Sequence, residues 1–134
     1  MIPKYLQDLF KAQAYDPNQF FLIAGPCVVE DEALVMEIGE KVSTICKNLG
    51  IPYVFKASYR KANRTSANSF TGIGDDTGME LIKKVGAKFN VPTTSDIHAH
   101  EEAAIAAEFI DILQIPAFLC RQTDLLVAAA NTGK

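Results

Sequence analysis

The chain has 134 residues, of which 49% are apolar and 22% are charged, and this composition predicts an ordinary soluble single domain. The formal net charge of −3 disfavours nucleic acid as a partner, and the sequence lacks the apolar run of about 18 to 20 residues that a membrane-spanning helix needs. Residues 1–18 lack the features of a secretory signal, so we expect a cytoplasmic protein.

The first half of the chain predicts a strand, a helix and a second strand, after an N-terminal extension over residues 1–19. Residues 20–24 form an apolar run that Gly25-Pro26 stops, as in a strand buried on both faces. Residues 32–49 predict a helix that Gly50 ends. Its apolar stripe consists of Leu34, Val35, Ile38, Val42, Ile45 and Leu49. Residues 53–57 predict the second strand.

The second half continues the same alternation after a long loop. Thr77-Gly-Met-Glu80 fits a capping box, so a second helix is predicted to begin near Asp76. A third strand is predicted over residues 91–95 and a fourth over residues 111–115. The remaining helices are predicted over residues 101–109 and 123–130.

Four consecutive strand–helix units predict parallel strands joined by right-handed crossovers. A doubly wound sheet and a (β/α)8 barrel both fit this pattern. Polar motifs follow the strands directly, at residues 26–27, 58–65, 96–98 and 114–117. We therefore expect these motifs to meet at the carboxyl edge of the sheet, where the active sites of barrels lie.

The segment Lys56-Ala-Ser-Tyr-Arg-Lys-Ala-Asn-Arg-Thr65 concentrates positive charge after the second strand. Four cations lie within nine residues, and residues 41–74 contain no Asp or Glu. Arg supplies forked donors and Lys a point charge, and both suit phosphate and carboxylate groups. The segment predicts a site for dianions, and a solvated basic loop is the alternative.

Four motifs in order carry a resemblance to a known family. They are Ile23-Ala-Gly-Pro-Cys27, KASYRKANRTS over residues 56–66, Ser95-Asp-Ile-His98, and residues 113–124. From about Phe20 to Lys134 the chain resembles the 3-deoxy-D-manno-octulosonate 8-phosphate synthases. The resemblance implies a (β/α)8 TIM barrel about twice as long as this chain, with residues 1–134 as its N-terminal half and first four βα units. It also implies a homotetramer.

The resemblance further implies which residues form the site. Lys61, Asn63 and Asp96 would be catalytic, with Lys61 stabilising charge or delivering a proton at the enol. The substrate-binding residues that it implies are Lys56, Ser58, Lys61, Asn63, Arg64, Thr65, Gln114, Ala117 and Arg121. Arg64 and Thr65 match the pair that grips the sugar phosphate. Arg60 departs from the family pattern, and its role stays open.

The three cysteines form neither a disulfide framework nor a CxxC zinc pattern. Cys46 and Cys120 are expected to be core thiols, and burial is also the simplest interpretation of Cys27 from the residue alone. The resemblance instead implies that Cys27 belongs to the metal-dependent class of the family. It would be one ligand of a divalent metal ion such as Zn, Fe or Mn, with the remaining ligands outside this chain.

Asp96 and His98 leave the third strand two residues apart. From the residues alone, a capping Asp and a surface His are the simplest interpretation, and the two side chains need not point the same way. The resemblance implies that both border the active site, with Asp96 close to the sugar hydroxyls.

The implied reaction condenses phosphoenolpyruvate with D-arabinose 5-phosphate, giving 3-deoxy-D-manno-octulosonate 8-phosphate, a lipopolysaccharide precursor, and inorganic phosphate. The rival enzyme is a 3-deoxy-D-arabino-heptulosonate 7-phosphate synthase, which uses erythrose 4-phosphate. Asn63-Arg64-Thr65 favours the eight-carbon product. The non-enzymatic alternative is an inactive half-barrel that binds anions.

Overall fold

The predicted alternation of strands and helices is present as an arc of parallel strands covered by helices. The computed structural model describes residues 4–62, 66 and 68–134. The strands are β1 (Leu22–Ala24), β2 (Tyr53–Lys56), β3 (Thr93–Asp96) and β4 (Ile112–Gln114). The helices are α1 (Lys4–Leu9), α2 (Glu32–Leu49), α3 (Asp75–Phe89), α4 (Glu102–Ala106) and α5 (Thr123–Asn131), with a 3-10 turn at Ala117–Leu119.

The strand order decides between the two architectures that the sequence left open. All neighbouring strands are parallel, and the described strands pair in the order β1-β2-β3-β4. A doubly wound sheet reverses its strand order at a switch point, whereas a barrel keeps sequential order around the arc. The fold is therefore an arc of a (β/α)8 barrel with four βα units, as the resemblance implied.

The first strand is shorter and less buried than the sequence predicted. It begins at Leu22, and Phe20 lies outside it with 70% of its surface exposed. Ile23, at the centre of β1, is 49% exposed, because β1 is an edge strand of the described sheet. The prediction of a strand buried on both faces is therefore wrong for β1, although Val54, its neighbour in β2, is fully buried.

Helix α2 has the predicted bounds but not the predicted stripe. Asp31 caps its first turn by accepting a hydrogen bond from the Leu34 N–H at 2.8 Å, and Gly50 ends it with a φ of 67°. Ile45 and Leu49 are exposed, while Val35 and Cys46 are buried. The side of the helix that packs on the sheet is therefore rotated away from the last two residues of the apolar pattern.

The capping box predicted for α3 is wrong. The helix begins at Asp75 after Gly74, and the cap makes no side-chain hydrogen bond. Thr77 is already in the first turn, where Asp75 and Asp76 supply the negative charge that a helix N-terminus favours.

Strand β3 buries hydroxyl side chains rather than apolar ones. Thr93 and Thr94 are 1% and 3% exposed. The Thr93 hydroxyl and N–H both donate to Oδ2 of Asp111, and the Thr94 hydroxyl donates to the Ile112 carbonyl at 2.9 Å. These bonds offset the cost of removing the hydroxyls from water.

The N-terminal segment closes the amino end of the sheet. Phe10 is 1% exposed and stacks on Tyr15 at 5.0 Å between ring centroids. The Gln13 amide accepts from the Tyr53 N–H at 2.7 Å and donates to the Tyr53 carbonyl at 2.9 Å. This segment therefore covers the end of β2 opposite to the one that carries the polar motifs.

Among the described residues, each helix is too short or too polar to cross a lipid bilayer.

Candidate active site

One face of the sheet gathers the polar side chains that leave the strands. Successive residues of a strand point to opposite faces, and residues in register lie side by side. Lys56 is in register with Thr94, and Asp96 is in register with Gln114. Ser58, two residues beyond Lys56, lies on the same side of its strand. We call Lys56, Ser58, Asp96 and Gln114 the polar face.

Three members of the polar face are joined by hydrogen bonds. The Lys56 ammonium donates to Oγ of Ser58 at 3.1 Å. The Ser58 hydroxyl in turn donates to Oδ1 of Asp96. Ser58 is 6% exposed, so its hydroxyl is oriented by these two partners and joins the ends of β2 and β3.

His98 completes this chain of contacts from the other side of Asp96. Its Nε2 lies 2.8 Å from Oδ2 of Asp96, and its side chain is only 8% exposed. A carboxylate only accepts, so the proton lies on Nε2. The interpretation of His98 as a surface residue is therefore wrong. The two side chains do point the same way, because residues two apart on an extended chain share a face.

The environment of Asp96 favours its charged form. Burial by itself raises the pKa of a carboxyl, but the hydrogen bonds from His98 and Ser58 outweigh it, and the pKa of Asp96 lies below its usual value. The carboxylate is therefore ionised at neutral pH, with a fixed orientation at the end of β3.

The basic segment carries less free charge than the sequence suggested. Arg60 donates to Oδ2 of Asp75 at 2.9 Å and also to Oε1 of Glu102. The segment itself contains no carboxylate, but the fold places the carboxylates of Asp75 and Glu102 beside it. Arg60 is thus engaged in ion pairs at the first turns of α3 and α4, and Lys56 is the described cation of the segment that contacts another member of the polar face.

Lys61 differs from Arg60 in leaving its side chain in solvent. Its N–H donates to the Thr71 carbonyl at 2.8 Å, which fixes the backbone, while the residue is exposed. Asn63, Arg64 and Thr65 lie outside the described residues, so their predicted roles stay predictions.

The remaining predicted residues follow β4 and are open to solvent. Gln114 ends β4, Ala117 begins the 3-10 turn, and Arg121 lies before α5, all of them exposed. Cys120, in the same stretch, is also exposed, so the prediction of a core thiol is wrong there and right for Cys46.

The end of β1 approaches β2 unusually closely. A Cβ added at Gly25 would lie 1.8 Å from the Lys56 carbonyl oxygen, so only glycine fits there. Ala24 pairs with Phe55 and Val28 with Ser58, which leaves three residues in the first segment opposite two in the second. This bulge places Cys27 at the same edge of the sheet as the polar face.

Cys27 has the chemistry of a metal ligand but lacks companions in the described part of the chain. Its thiol is free and exposed. Among the described residues, no group of three His, Cys, Asp or Glu side chains is placed to hold a metal ion. Catalytic metal sites usually need about three protein ligands, so these residues do not form a metal site by themselves.

Glu102 is the part of this arrangement that the sequence reasoning missed. It accepts from the Tyr59 hydroxyl at 2.6 Å and from the His98 N–H at 2.8 Å. Burial raises the pKa of Glu102, but the hydrogen bonds from these two donors and the Arg60 guanidinium lower it below its usual value. For Tyr59, burial and the hydrogen bond to Glu102 both raise the pKa. The spacing of four residues between His98 and Glu102 was the available signal.

Comparison with known proteins gives a consistent result. Residues 11–134 match the family model described as the DAHP synthetase I family. The chain is 58% identical over 116 residues to a 2-dehydro-3-deoxyphosphooctonate aldolase of Koribacter versatilis, and 53% identical over 117 residues to the protein of that name from Fusobacterium nucleatum. Each alignment covers 87% of this chain and 42% of the relative. A Rickettsia typhi protein of the same name is 51% identical over 116 residues. The chain thus spans well under half the length of these curated relatives.

Proposed function

We propose, from the premise that this chain belongs to the DAHP synthetase I family, that the whole protein condenses phosphoenolpyruvate with D-arabinose 5-phosphate. The products are 3-deoxy-D-manno-octulosonate 8-phosphate and inorganic phosphate. The similarity to proteins named 2-dehydro-3-deoxyphosphooctonate aldolase supports this reaction over the heptulosonate alternative. The observation that carries the proposal is the polar face, where Lys56, Ser58 and Asp96 are linked at the carboxyl ends of β2 and β3.

The geometry of the polar face suits a reaction between two anions. Phosphoenolpyruvate and the sugar phosphate repel each other, and the ammonium groups of Lys56 and Lys61 would offset that repulsion. Fixed donors and acceptors on neighbouring strands hold the reacting carbons in line without reorganisation during the reaction. Asp96, ionised and fixed by Ser58 and His98, accepts hydrogen bonds from the hydroxyls of the sugar.

The bonds that form and break in the proposed reaction indicate where charge and protons must be handled. C3 of the enol forms a bond to the aldehyde carbon, whose oxygen takes a proton and becomes a hydroxyl. Water adds to C2 and loses a proton, and the resulting hemiketal phosphate releases inorganic phosphate. Lys61 is assigned the task of stabilising the developing charge or delivering the proton, because its backbone is fixed by the Thr71 carbonyl and its side chain is exposed in the segment that follows β2. The expected contacts of Asn63, Arg64 and Thr65 with the sugar phosphate belong to the same proposal.

The role of Cys27 as a metal ligand is part of the proposal as well. Its thiol at the end of β1 would supply one ligand to a divalent ion such as Zn, Fe or Mn, and residues beyond these 134 would supply the others. The ion would act as a Lewis acid when bound.

The setting of the enzyme is proposed on the same grounds. We propose that the protein is a homotetramer, which the family resemblance supports. We also propose that it is cytoplasmic, which the free thiols of Cys27, Cys46 and Cys120 support. Sedimentation of the whole protein tests the oligomeric state.

The test of the function is an assay of the whole protein for phosphate release. Phosphoenolpyruvate is supplied with either arabinose 5-phosphate or erythrose 4-phosphate. We expect turnover with the five-carbon sugar. Turnover restricted to erythrose 4-phosphate would assign the heptulosonate reaction instead, and release with neither sugar would refute both.

A further inference from the structure

Next to the polar face, the Glu102 carboxylate accepts hydrogen bonds from three donors. The Tyr59 hydroxyl and the His98 N–H both donate to Oε2, at 2.6 Å and 2.8 Å, and Arg60 donates to Oε1. The side chain of Glu102 is only 20% exposed, so these bonds form in a partly dry environment. Oε2 therefore joins the segment after β2 to the segment after β3, and Oε1 makes a second contact with the segment after β2.

Arg60 extends this arrangement to the neighbouring helix. One nitrogen of its guanidinium donates to Glu102, the first residue of α4, and the other donates to Asp75, the first residue of α3. The planar fork of a guanidinium suits two acceptors at a fixed angle. We call Tyr59, Arg60, Asp75 and Glu102 the clamp.

On the β2 side, the clamp lies next to Lys61, the residue that is proposed to stabilise charge in the reaction. Lys61 follows Arg60 directly, and its N–H is bonded to the Thr71 carbonyl. Gly72 packs so closely on Tyr59 that an added Cβ would lie 2.7 Å from the Tyr59 carbonyl oxygen. The backbone that carries Lys61 is therefore held between the clamp and the returning end of its own loop.

On the β3 side, the clamp reaches Asp96 through His98. Glu102 holds the His98 N–H, and the His98 ring contacts Oδ2 of Asp96 at 2.8 Å. Nδ1 of the same ring makes no hydrogen bond and lies 3.7 Å from Oε2 of Glu102. The Glu102 carboxylate thus lies against both the backbone and the ring of His98.

We propose that Arg60 and Glu102 are positioning residues that fix Lys61, in the segment after β2, relative to Asp96 at the end of β3. They act through Lys61 and His98, since their own contacts lie on the helix side of the strand ends. The kinetic part of this inference rests on the proposed function. A misplacement of about 1 Å in a catalytic group can cost about 100-fold in rate, so loosening the clamp should be visible in kcat.

The experiment uses the whole protein with Glu102→Gln, Arg60→Ala and the double substitution. Glutamine keeps the shape and one accepting oxygen but removes the charge that faces Arg60. The matched control is Glu32→Gln. Glu32 is the first residue of α2, and it pairs with Lys84 of α3 without contacting the strand ends.

The most direct measurement is amide hydrogen exchange without substrate. In each variant it is measured at an amide on the other side of the clamp from the substituted residue. Glu102→Gln should speed exchange at the Lys61 amide, and Arg60→Ala should speed exchange at the His98 amide, each about tenfold, whereas Glu32→Gln should change neither. A merely local role would alter only the amides that each side chain contacts. These crossed effects do not depend on the identity of the substrate.

In the phosphate-release assay we expect both single variants to lower kcat at least about tenfold, with smaller changes in KM and a melting temperature close to that of Glu32→Gln. The double variant should lose no more than either single variant, because the two residues act as a unit. Unchanged crossed exchange, wild-type kcat in both single variants, or multiplicative losses in the double variant would overturn the proposal. If the unmodified protein is inactive with both sugars, the proposed function fails, and the crossed exchange still decides whether the clamp couples the strands.

Discussion

The local environments of Lys61 and Asp96 are opposite, and this difference determines how each residue can be tested. The Lys61 side chain is in solvent, so its removal costs little stability. Asp96 is partly buried and hydrogen-bonded, so its ionisation is coupled to folding.

We expect Lys61→Ala in the whole protein to lower kcat about 100-fold while changing KM and melting temperature little. The reason is that an ammonium near the reacting atoms, as proposed for Lys61, interacts more strongly as negative charge develops. Steady-state kinetics with both substrates provide the measurement, and Lys47→Ala, an exposed lysine of α2, is the control. Near-normal turnover of the Lys61 variant would remove Lys61 from the catalytic set.

We expect Cys27→Asn to reduce bound metal and chelator sensitivity of the whole protein without altering its fold. The thiol is exposed, so its loss leaves no cavity. Metal content per protomer is the measurement. Cys120→Asn, at another exposed free cysteine, should keep the metal content of the unmodified protein. Equal metal content in all three proteins would show that Cys27 is not a ligand.

The lowered pKa of Asp96 predicts a specific loss of stability in acid. The unfolded carboxyl titrates at about 3.9. Above that pH the stabilising contribution of Asp96 is complete, and it is lost as the pH falls through the folded-state pKa. The difference in free energy of unfolding between the unmodified protein and Asp96→Asn should therefore shrink between pH 5 and pH 3, as measured by urea denaturation. A difference that stays constant over this range would contradict the assignment.

At the scale of elements, close approach of β1 and β2 shapes the edge that carries the polar face. Gly25 allows this approach because a Cβ would overlap the Lys56 carbonyl, whereas Gly50 ends α2 with open space around it and a positive φ. The two glycines are therefore required for different reasons, contact at one and backbone conformation at the other.

This contrast gives a prediction about stability. Gly50→Ala should cost about 1 kcal/mol, the usual cost of a left-handed backbone for a residue with a Cβ. Gly25→Ala should cost more, about 3 kcal/mol or above, because the overlap is with backbone that cannot move without opening the sheet. Denaturant unfolding of the two variants compares these costs. Equal losses at both positions would show that β1 is not held as closely to β2 as the structure indicates.

At the scale of the whole molecule, the described sheet has two open edges. β1 and β4 each pair on one side only, and large apolar side chains are exposed near them, with Phe20 70% and Phe118 61% exposed. Unpaired parallel edges with exposed apolar surface recruit other chains.

We expect a polypeptide of these 134 residues, produced by itself, to self-associate and to lack the proposed activity. The open edges cause association, and the site would lack any donors that other parts of the protein supply. Analytical ultracentrifugation, calorimetry and the phosphate-release assay provide the measurements. A monomer that melts cooperatively and turns over both substrates would contradict this expectation.

The sequence alone predicted that the motifs containing Ser58 and Asp96 meet at the carboxyl edge of the sheet, and the hydrogen bond between these two residues confirms it. The alternation of strands and helices that predicts parallel strands is a local pattern, whereas the register that aligns the two residues required the structure. The same local rules predicted α2 from its apolar spacing and its end at Gly50. The role of Lys56, Ser58 and Asp96 in binding substrate stays a prediction.

The tertiary structure alone decided which charges are paired and which side chains are buried. Arg60 lies 15 residues from Asp75 and 42 from Glu102 along the chain, so no local pattern showed that its charge is neutralised. His98 is buried and Cys120 is exposed for the same kind of reason. Periodicity is a property of neighbouring residues, whereas burial and ion pairing depend on which distant segments the packed fold brings into contact.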